Sequence, residues 1–160
     1  MCIFDTGMEL NHPDLEGFDV AGWIDVVQGK SNPYDDNGHG TNMAGILVAN
    51  GWMEGVAPKV ELVVAKALSG NGTGDDGVVA DAIDWCVDQN VQIISLSLGG
   101  APGLIPFSIF GGRDSSDAAD DAIDQGIVVI AAAGNDGGPD DDGDVAHPSS
   151  ERLVISVGGH

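Results

Sequence analysis

A chain of 160 residues, 42% of them hydrophobic, is expected to form one globular domain with a buried core. Its formal net charge of -21 comes from 26 Asp and Glu against 5 Lys and Arg, which argues against nucleic-acid binding because phosphate contacts need basic side chains. No apolar run approaches the ~18 residues of a membrane-spanning helix, and the first residues lack the basic flank of a secretory signal, so we predict neither membrane association nor a signal peptide in this chain.

Apolar segments alternate with amphipathic segments along the whole chain. Strands are predicted at residues 2–4, 18–27, 60–68, 91–98, 127–132 and 153–157. Helices are predicted at residues 40–49, 76–89 and 116–125. Because the strands are apolar throughout and are separated by helices, the pattern predicts an α/β fold with a mostly parallel sheet that is covered on both faces.

The second predicted helix shows how the acidic residues are distributed. Val79 and Ile83 share one face, whereas Asp81, Asp84 and Asp88 face outward. Self-repulsion at this net charge destabilises a compact state at low salt, and 1 M salt shortens the screening length to ~3 Å. The composition therefore predicts a halophilic protein, and the alternative is an acidic protein that folds in ordinary buffer.

Cys2 and Cys86 are the only cysteines. Two cysteines are too few for a disulfide scaffold or for a zinc site with four cysteine ligands. Since Cys2 lies in an apolar strand and Cys86 in a helix, both are predicted to be small buried hydrophobic residues.

Glycine-containing turns with polar residues follow four predicted strands. They are Asp5-Thr6-Gly7, residues 70–77, Gly99-Gly100 and Gly134-Asn135. Ligands of an open parallel sheet bind outside the carboxyl ends of the strands, so we expect these turns to converge on one edge. His39 lies between Gly38 and Gly40 at the start of a helix, which approaches the same edge, and the two glycines leave its ring accessible.

Five segments form an ordered set of motifs. They are Ile3-Phe4-Asp5-Thr6-Gly7 with His12-Pro13-Asp14-Leu15, Asn37-Gly38-His39-Gly40-Thr41 with Ala44-Gly45, Gly55-Val56-Ala57-Pro58, Ser97-Leu98-Gly99-Gly100, and Ala132-Ala133-Gly134-Asn135. In order and approximate spacing they resemble the subtilisin-like serine protease family (subtilases, peptidase S8 type), over nearly the whole chain. The resemblance implies a serine-type endopeptidase with a three-layer, doubly wound sandwich, a protein or peptide substrate, and secretion from the cell.

The resemblance also implies roles for individual residues. Asp5 resembles the triad aspartate that orients the histidine, and His39 resembles the general base. Asn135 resembles the side-chain donor to the oxyanion. The remaining implied residues bind substrate, either as two extended segments along its backbone or as a wall of the first specificity pocket. They are Gly72, Thr73 and Gly74, then Ser97, Leu98 and Gly99, and then Ala132 and Gly134.

The family's Gly-Thr-Ser-Met-Ala motif does not occur in the 160 residues. Ser97 ends a strand, and Ser149 and Ser150 lie in a turn, so none has the context of the nucleophile. We therefore expect residues 1–160 to be a partial catalytic domain, incomplete at the C-terminus and without the N-terminal strand segment. Such a fragment is expected to be inactive and prone to self-association. The alternative is a natural pseudoenzyme.

No cofactor is expected. Calcium is considered as a ligand, but the sequence contains no recognisable calcium site. Asp14 resembles one ligand of the family's calcium loop, but the chain between Ala49 and Gly55 is too short to supply the others. The acidic run at residues 140–144 does not fit the alternating ligands of an EF-hand and is predicted to be a solvated loop. Residues 104–113 resemble an insertion without an assignable role.

Two other classes of protein compete with this interpretation. Gly72, Gly74 and Gly77 fit the G-x-G-x-x-G pattern of a dinucleotide-binding domain, but Asp75 and Asp76 would repel a pyrophosphate. A non-catalytic acidic binding module would give Asp5, His39 and Asn135 structural roles only. A protease site needs Asp5 and His39 in contact and Asn135 facing the same cleft, and this geometry separates it from such a module.

Overall fold

The computed structural model describes residues 1–99, 114–135 and 145–159, which fall in two compact units, Met1–Gly74 and Asp75–His160. The predictions for residues 104–113 and for the acidic loop at 139–144 lie outside the described residues. No helix within the described ranges has the length and apolar character needed to cross a bilayer.

The first unit is a three-stranded parallel sheet with one helix. It contains β1 (Cys2–Asp5), β2 (Gly22–Asp25), α1 (His39–Val48) and β3 (Val63–Lys66), with the strands in the order β2-β3-β1. The register pairs Lys66 with both Asp5 and Asp25, so three charged side chains stand at one edge where the strands end.

The core of this unit lies between α1 and the sheet. Ala44 and Val48 of α1 pack against Ile3 and Val64 of the strands, and residues of the connecting loops complete the cluster. The small Ala44 and Gly40 are buried on the helix face toward the sheet, which lets the start of α1 approach the end of β1 closely.

The second unit is built in the same way. It contains α2 (Asp76–Asp88), β4 (Ile93–Leu96), α3 (Ser115–Asp124), β5 (Val128–Ala132) and β6 (Ile155–Val157). The strands are parallel in the order β4-β5-β6, with Leu96 opposite Ala131 and Ala132 opposite Val157.

Aspartates begin both helices of the second unit. The Asp75 carboxylate accepts the N–H of Gly77 at 3.0 Å, and the Asp114 carboxylate accepts the N–H of Asp117 at 2.9 Å. Each is an N-cap, which satisfies an N–H group that the helix leaves without a partner. Val79 and Ile83 of α2 face inward and are buried, as the amphipathic pattern predicts, and the three alanines of α3 are buried as well.

Candidate active site

Asp5 is the last residue of β1, and its side chain is buried, with 1% exposed. One carboxylate oxygen, Oδ1, lies 2.7 Å from His39 Nδ1 and accepts the N–H of Thr6 at 2.6 Å. The other, Oδ2, is buried without a partner among the described residues. Burial raises the pKa of the Asp5 carboxyl group, and the hydrogen bonds from His39 and Thr6 oppose that shift.

His39 is the first residue of α1, and its side chain is 45% exposed. The hydrogen bond from Nδ1 to Asp5 holds the ring in one orientation, and nearly half of the side chain stays open to solvent. A histidine whose Nδ1–H is given to a carboxylate keeps Nε2 as a proton acceptor. The contact that the strand-end argument predicted between these two residues is therefore present.

Gly40 sets the distance between the helix and the strand. A Cβ built at Gly40 would lie 2.9 Å from Gly7 N and 3.1 Å from Asp5 Cβ, and closer still to Gly7 O. Gly38, the residue before His39, has φ of +102°, which a residue with a side chain rarely adopts. The sequence interpretation attributed both glycines to access to the ring, but the structure gives them backbone roles that bring His39 onto Asp5.

Asp35 is a polar centre that the sequence interpretation missed. Its Oδ1 accepts hydrogen bonds from Thr6 Oγ1 at 2.9 Å, Asn37 N at 3.0 Å and Gly38 N at 2.9 Å. Its Oδ2 accepts hydrogen bonds from Thr41 N at 2.9 Å and Thr41 Oγ1 at 2.6 Å. Burial by itself would raise the pKa of Asp35, but the hydrogen bonds from Gly38, Thr41 and Asn37 lower it to about 2. The signal in the sequence was an Asp three residues before Gly38, because an Asp side chain often accepts the N–H groups of the turn that follows it.

Lys66 is a second polar group that the sequence interpretation missed. Its side chain is fully buried, and Nζ donates to Thr6 O at 2.5 Å, Asp36 Oδ1 at 2.6 Å and Leu68 O at 2.9 Å. Three acceptors satisfy the three N–H groups of an ammonium, which makes the burial of the charge tolerable. Lys66 thus holds the backbone that follows Asp5.

The residues predicted to bind substrate all lie in loops or at strand ends. Gly72, Thr73 and Gly74 are exposed in the loop after β3, where Ser69 N donates to Thr73 O at 2.9 Å. In the second unit, Ser97 and Leu98 follow β4 and are half-buried, and Gly99 is exposed.

The other predicted site residues of the second unit belong to the next strand end. Ala132 ends β5 and is half-buried, and Gly134 and Asn135 follow it and are exposed. A Cβ built at Gly99 would lie 3.8 Å from the Cα of Gly134, so the ends of β4 and β5 adjoin as the strand-end argument predicts.

Ser149 and Ser150, in the turn after Pro148, have other partners. Ser149 Oγ donates to Ser156 Oγ at 2.6 Å and is buried. Ser150 Oγ, at 2.9 Å, and Glu151 Oε1, at 3.6 Å, both face Nδ1 of His147. A catalytic triad places the serine and the acid on opposite nitrogens of the ring, so this second histidine cluster does not form one.

Asp14 was considered as a calcium ligand. Its Oδ1 accepts the N–H groups of Trp52 at 2.6 Å and Met53 at 3.2 Å, while its carbonyl oxygen accepts Asn50 N at 2.9 Å. Donor hydrogens directed at this oxygen do not fit a cation there. Within residues 1–99, 114–135 and 145–159, no group of three or more His, Cys, Asp and Glu side chains could hold a metal ion.

Comparison with known proteins places the chain in a family. Residues 1–160 match the model of the subtilase family, peptidase S8. The chain is 37% identical over 166 residues to the major intracellular serine protease of Bacillus subtilis (strain 168), covering 99% of this chain and 50% of that protein. It is 40% identical over 141 residues to thermitase of Thermoactinomyces vulgaris, covering 86% of this chain and 47% of that protein.

A solved structure agrees with the sequence comparisons. Sphericase superposes with a TM-score of 0.71 and 29% identity, covering 97% of this chain and 52% of that one. The chain belongs to the subtilase family, which confirms the predicted family and its α/β fold. It spans about half the length of the curated relatives that it matches.

The structure of this chain also argues against a dinucleotide-binding domain. Asp75 caps α2 and accepts the N–H of Gly77, so a carboxylate already takes up the helix N-terminus where a pyrophosphate would bind.

Proposed function

We propose that this chain carries the general base and the orienting acid of a serine endopeptidase. The observation that carries the proposal is the 2.7 Å contact between His39 Nδ1 and Asp5 Oδ1, on a histidine whose side chain is 45% exposed. In this arrangement, Nε2 of His39 accepts the proton of a serine hydroxyl as that serine attacks a peptide carbonyl. His39 then returns the proton to the leaving amine, and Asp5 stabilises the imidazolium in between.

The remaining steps rest on the family and on the strand-end residues. We propose that Asn135 donates a hydrogen bond to the oxyanion, since its exposed amide follows β5. Residues 72–74 and 97–99 would accept the substrate backbone as an added strand, which suits their exposed or half-buried positions after β3 and β4. The substrate is then a protein or peptide, in keeping with relatives that are named serine proteases.

Secretion and self-association stay predictions. Secretion is implied by resemblance, whereas one relative is by its name an intracellular protease. Self-association is supported by exposed apolar side chains in the first unit, which are Trp52 (98%), Val56 (85%) and Met53 (70%).

The test uses a polypeptide that continues past His160 to a Gly-Thr-Ser motif, assayed with chromogenic peptides. His39→Ala should lower turnover by about 10⁶-fold and Asp5→Ala by about 10⁴-fold, the losses known for the histidine and aspartate of a subtilisin. His12→Ala, which removes another exposed histidine, should keep parental turnover. Turnover that survives His39→Ala would refute the proposal.

We also propose that Asp14 anchors its loop without calcium. The thermal midpoint should be the same with millimolar calcium as with a chelator, because peptide N–H groups already take up the Asp14 Oδ1 atom. Asp14→Ala should lower the free energy of unfolding by about 1–3 kcal/mol, since two donors lose their acceptor. Asp19→Asn, at an exposed acid, is the control. A calcium-dependent rise in midpoint that Asp14→Ala abolishes would contradict this account.

A further inference from the structure

The two members of the proposed catalytic pair come from segments 34 residues apart. One is the end of β1 at Asp5, and the other is the start of α1 at His39. Their 2.7 Å contact requires the strand end and the helix start to be held at a fixed separation and angle. The Asp35 carboxylate lies between these two segments and bonds to both.

On the strand side, Asp35 acts on Thr6, the residue after Asp5. Thr6 is fully buried, and its Oγ1 donates to Asp35 Oδ1 at 2.9 Å. The same oxygen accepts the N–H of Gly40, the residue after His39, at 2.9 Å. A hydroxyl has one proton, so donation to Asp35 orients its lone pairs toward Gly40. Thr6 thereby links the neighbour of Asp5 to the neighbour of His39.

On the helix side, Asp35 bonds to the residues on either side of His39. Its two oxygens accept the N–H groups of Gly38 and Thr41 and the hydroxyl of Thr41. A simple turn or helix cap explains these contacts without reference to catalysis. It does not explain the bond from Thr6, which lies 29 residues earlier at the end of the strand.

We propose that Asp35 is a positioning residue that holds His39 on Asp5 by acting through Thr6 and the start of α1. The inference rests on the proposed function, since it concerns the same Asp5–His39 pair. It takes a carboxylate to do this, because five donors converge on the side chain. An asparagine would offer one oxygen and turn an NH₂ group toward donors.

The experiment observes the pair directly, in the 160-residue chain with ¹⁵N-labelled histidine. A proton shared between His39 Nδ1 and Asp5 should give a far-downfield resonance, assigned by its absence from His39→Ala. Asp35→Asn and Thr6→Val should abolish this resonance or speed its exchange with water at least tenfold. Thr6→Ser, which keeps the hydroxyl, and Asp19→Asn, at an exposed acid, should retain it. All variants are compared below their thermal midpoints.

The outcomes separate the two proposals. If the parent chain shows no such resonance, the pairing of Asp5 with His39 fails, and this inference fails with it. If the parent shows it and both Asp35→Asn and Thr6→Val keep it with parental exchange, Asp35 is a structural cap only and the inference alone is overturned. If Asp35→Asn does not fold, the inference is tested by Thr6→Val and Thr6→Ser alone. It holds if only Thr6→Val loses the resonance or its slow exchange, and it is overturned if both variants keep the resonance with parental exchange.

Discussion

Residues 1–160, purified alone, are expected to show no covalent labelling by a fluorophosphonate and no measurable turnover of chromogenic peptides. None of the serines has the family's Gly-Thr-Ser-Met-Ala context. Those near His147 face the same ring nitrogen as Glu151, and Ser149 is buried against Ser156. Triad residues act as a unit, and loss of the serine alone costs about 10⁶-fold in turnover in a subtilisin.

Some rate enhancement would survive and still go unseen. Oxyanion stabilisation and substrate binding without a nucleophile leave roughly 10³–10⁴-fold over the uncatalysed reaction. A routine peptide assay does not detect such a rate. Labelling should appear in a polypeptide that continues to a Gly-Thr-Ser motif and should disappear again when that serine is changed to alanine.

Labelling of the 160-residue chain would contradict this expectation. The labelled peptide would then identify the nucleophile, with the exposed Ser150 beside His147 as the first candidate. Ser150→Ala is the matched variant, since its loss of label would separate a reaction at that serine from non-specific modification.

The second large effect should be on stability, with the thermal midpoint rising steeply between dilute buffer and molar potassium chloride. Neither α2 nor α3 contains a lysine or arginine, and aspartates stand at one-turn spacing on their exposed faces. Each like-charge pair at this spacing costs about 0.2–0.5 kcal/mol in dilute buffer. Several pairs together with long-range repulsion are a substantial part of a total stability of about 5–15 kcal/mol.

The ends of the helices add to this cost. Asp88 and Asp124 are the last residues of α2 and α3, where the helix dipole is negative. Asp75, at the start of α2, lies at the favourable end and caps it.

These positions give matched variants. Asp88→Asn should stabilise the protein by about 0.3–1 kcal/mol in dilute buffer and flatten the salt dependence. Asp75→Asn should not stabilise it, although the change in net charge is the same. Circular dichroism from low to molar salt measures both. A midpoint that does not change with salt would refute the expectation.

The sequence predicted the kind and order of the elements better than their extent. All nine predicted elements are present, but the strand predicted at 60–68 is Val63–Lys66 and the one at 18–27 is Gly22–Asp25. Leu62, Ala67 and Leu68 are buried just outside the ladder. An apolar run reports burial, and burial continues past the last hydrogen-bonded pair of a strand.

The residues of the candidate site were likewise predicted only in part. Asp5 and His39 could be paired because strand ends and helix starts meet at a predictable edge of a parallel sheet. The turn at Asp35 had a local signal in the sequence, but its bond to Thr6, 29 residues earlier, did not, and neither did the contacts of Lys66 with Thr6 and Asp36, 60 and 30 residues away. Both cysteines are buried as predicted, but neither is a free thiol, which two isolated cysteines in a sequence do not reveal.

Because Lys66 is buried, its reactivity toward a chemical reagent reports local opening of the structure. The chain has three lysines, of which Lys30 and Lys59 are exposed and Lys66 is fully buried behind Thr6 and Asp36. An amine-reactive reagent reaches the two exposed lysines in the native protein, whereas it reaches Lys66 only when the strand end beside Asp5 separates from the loop that carries Asp36, just before α1. The rate of acylation at Lys66, relative to the other two lysines, therefore measures how often the proposed catalytic corner comes apart.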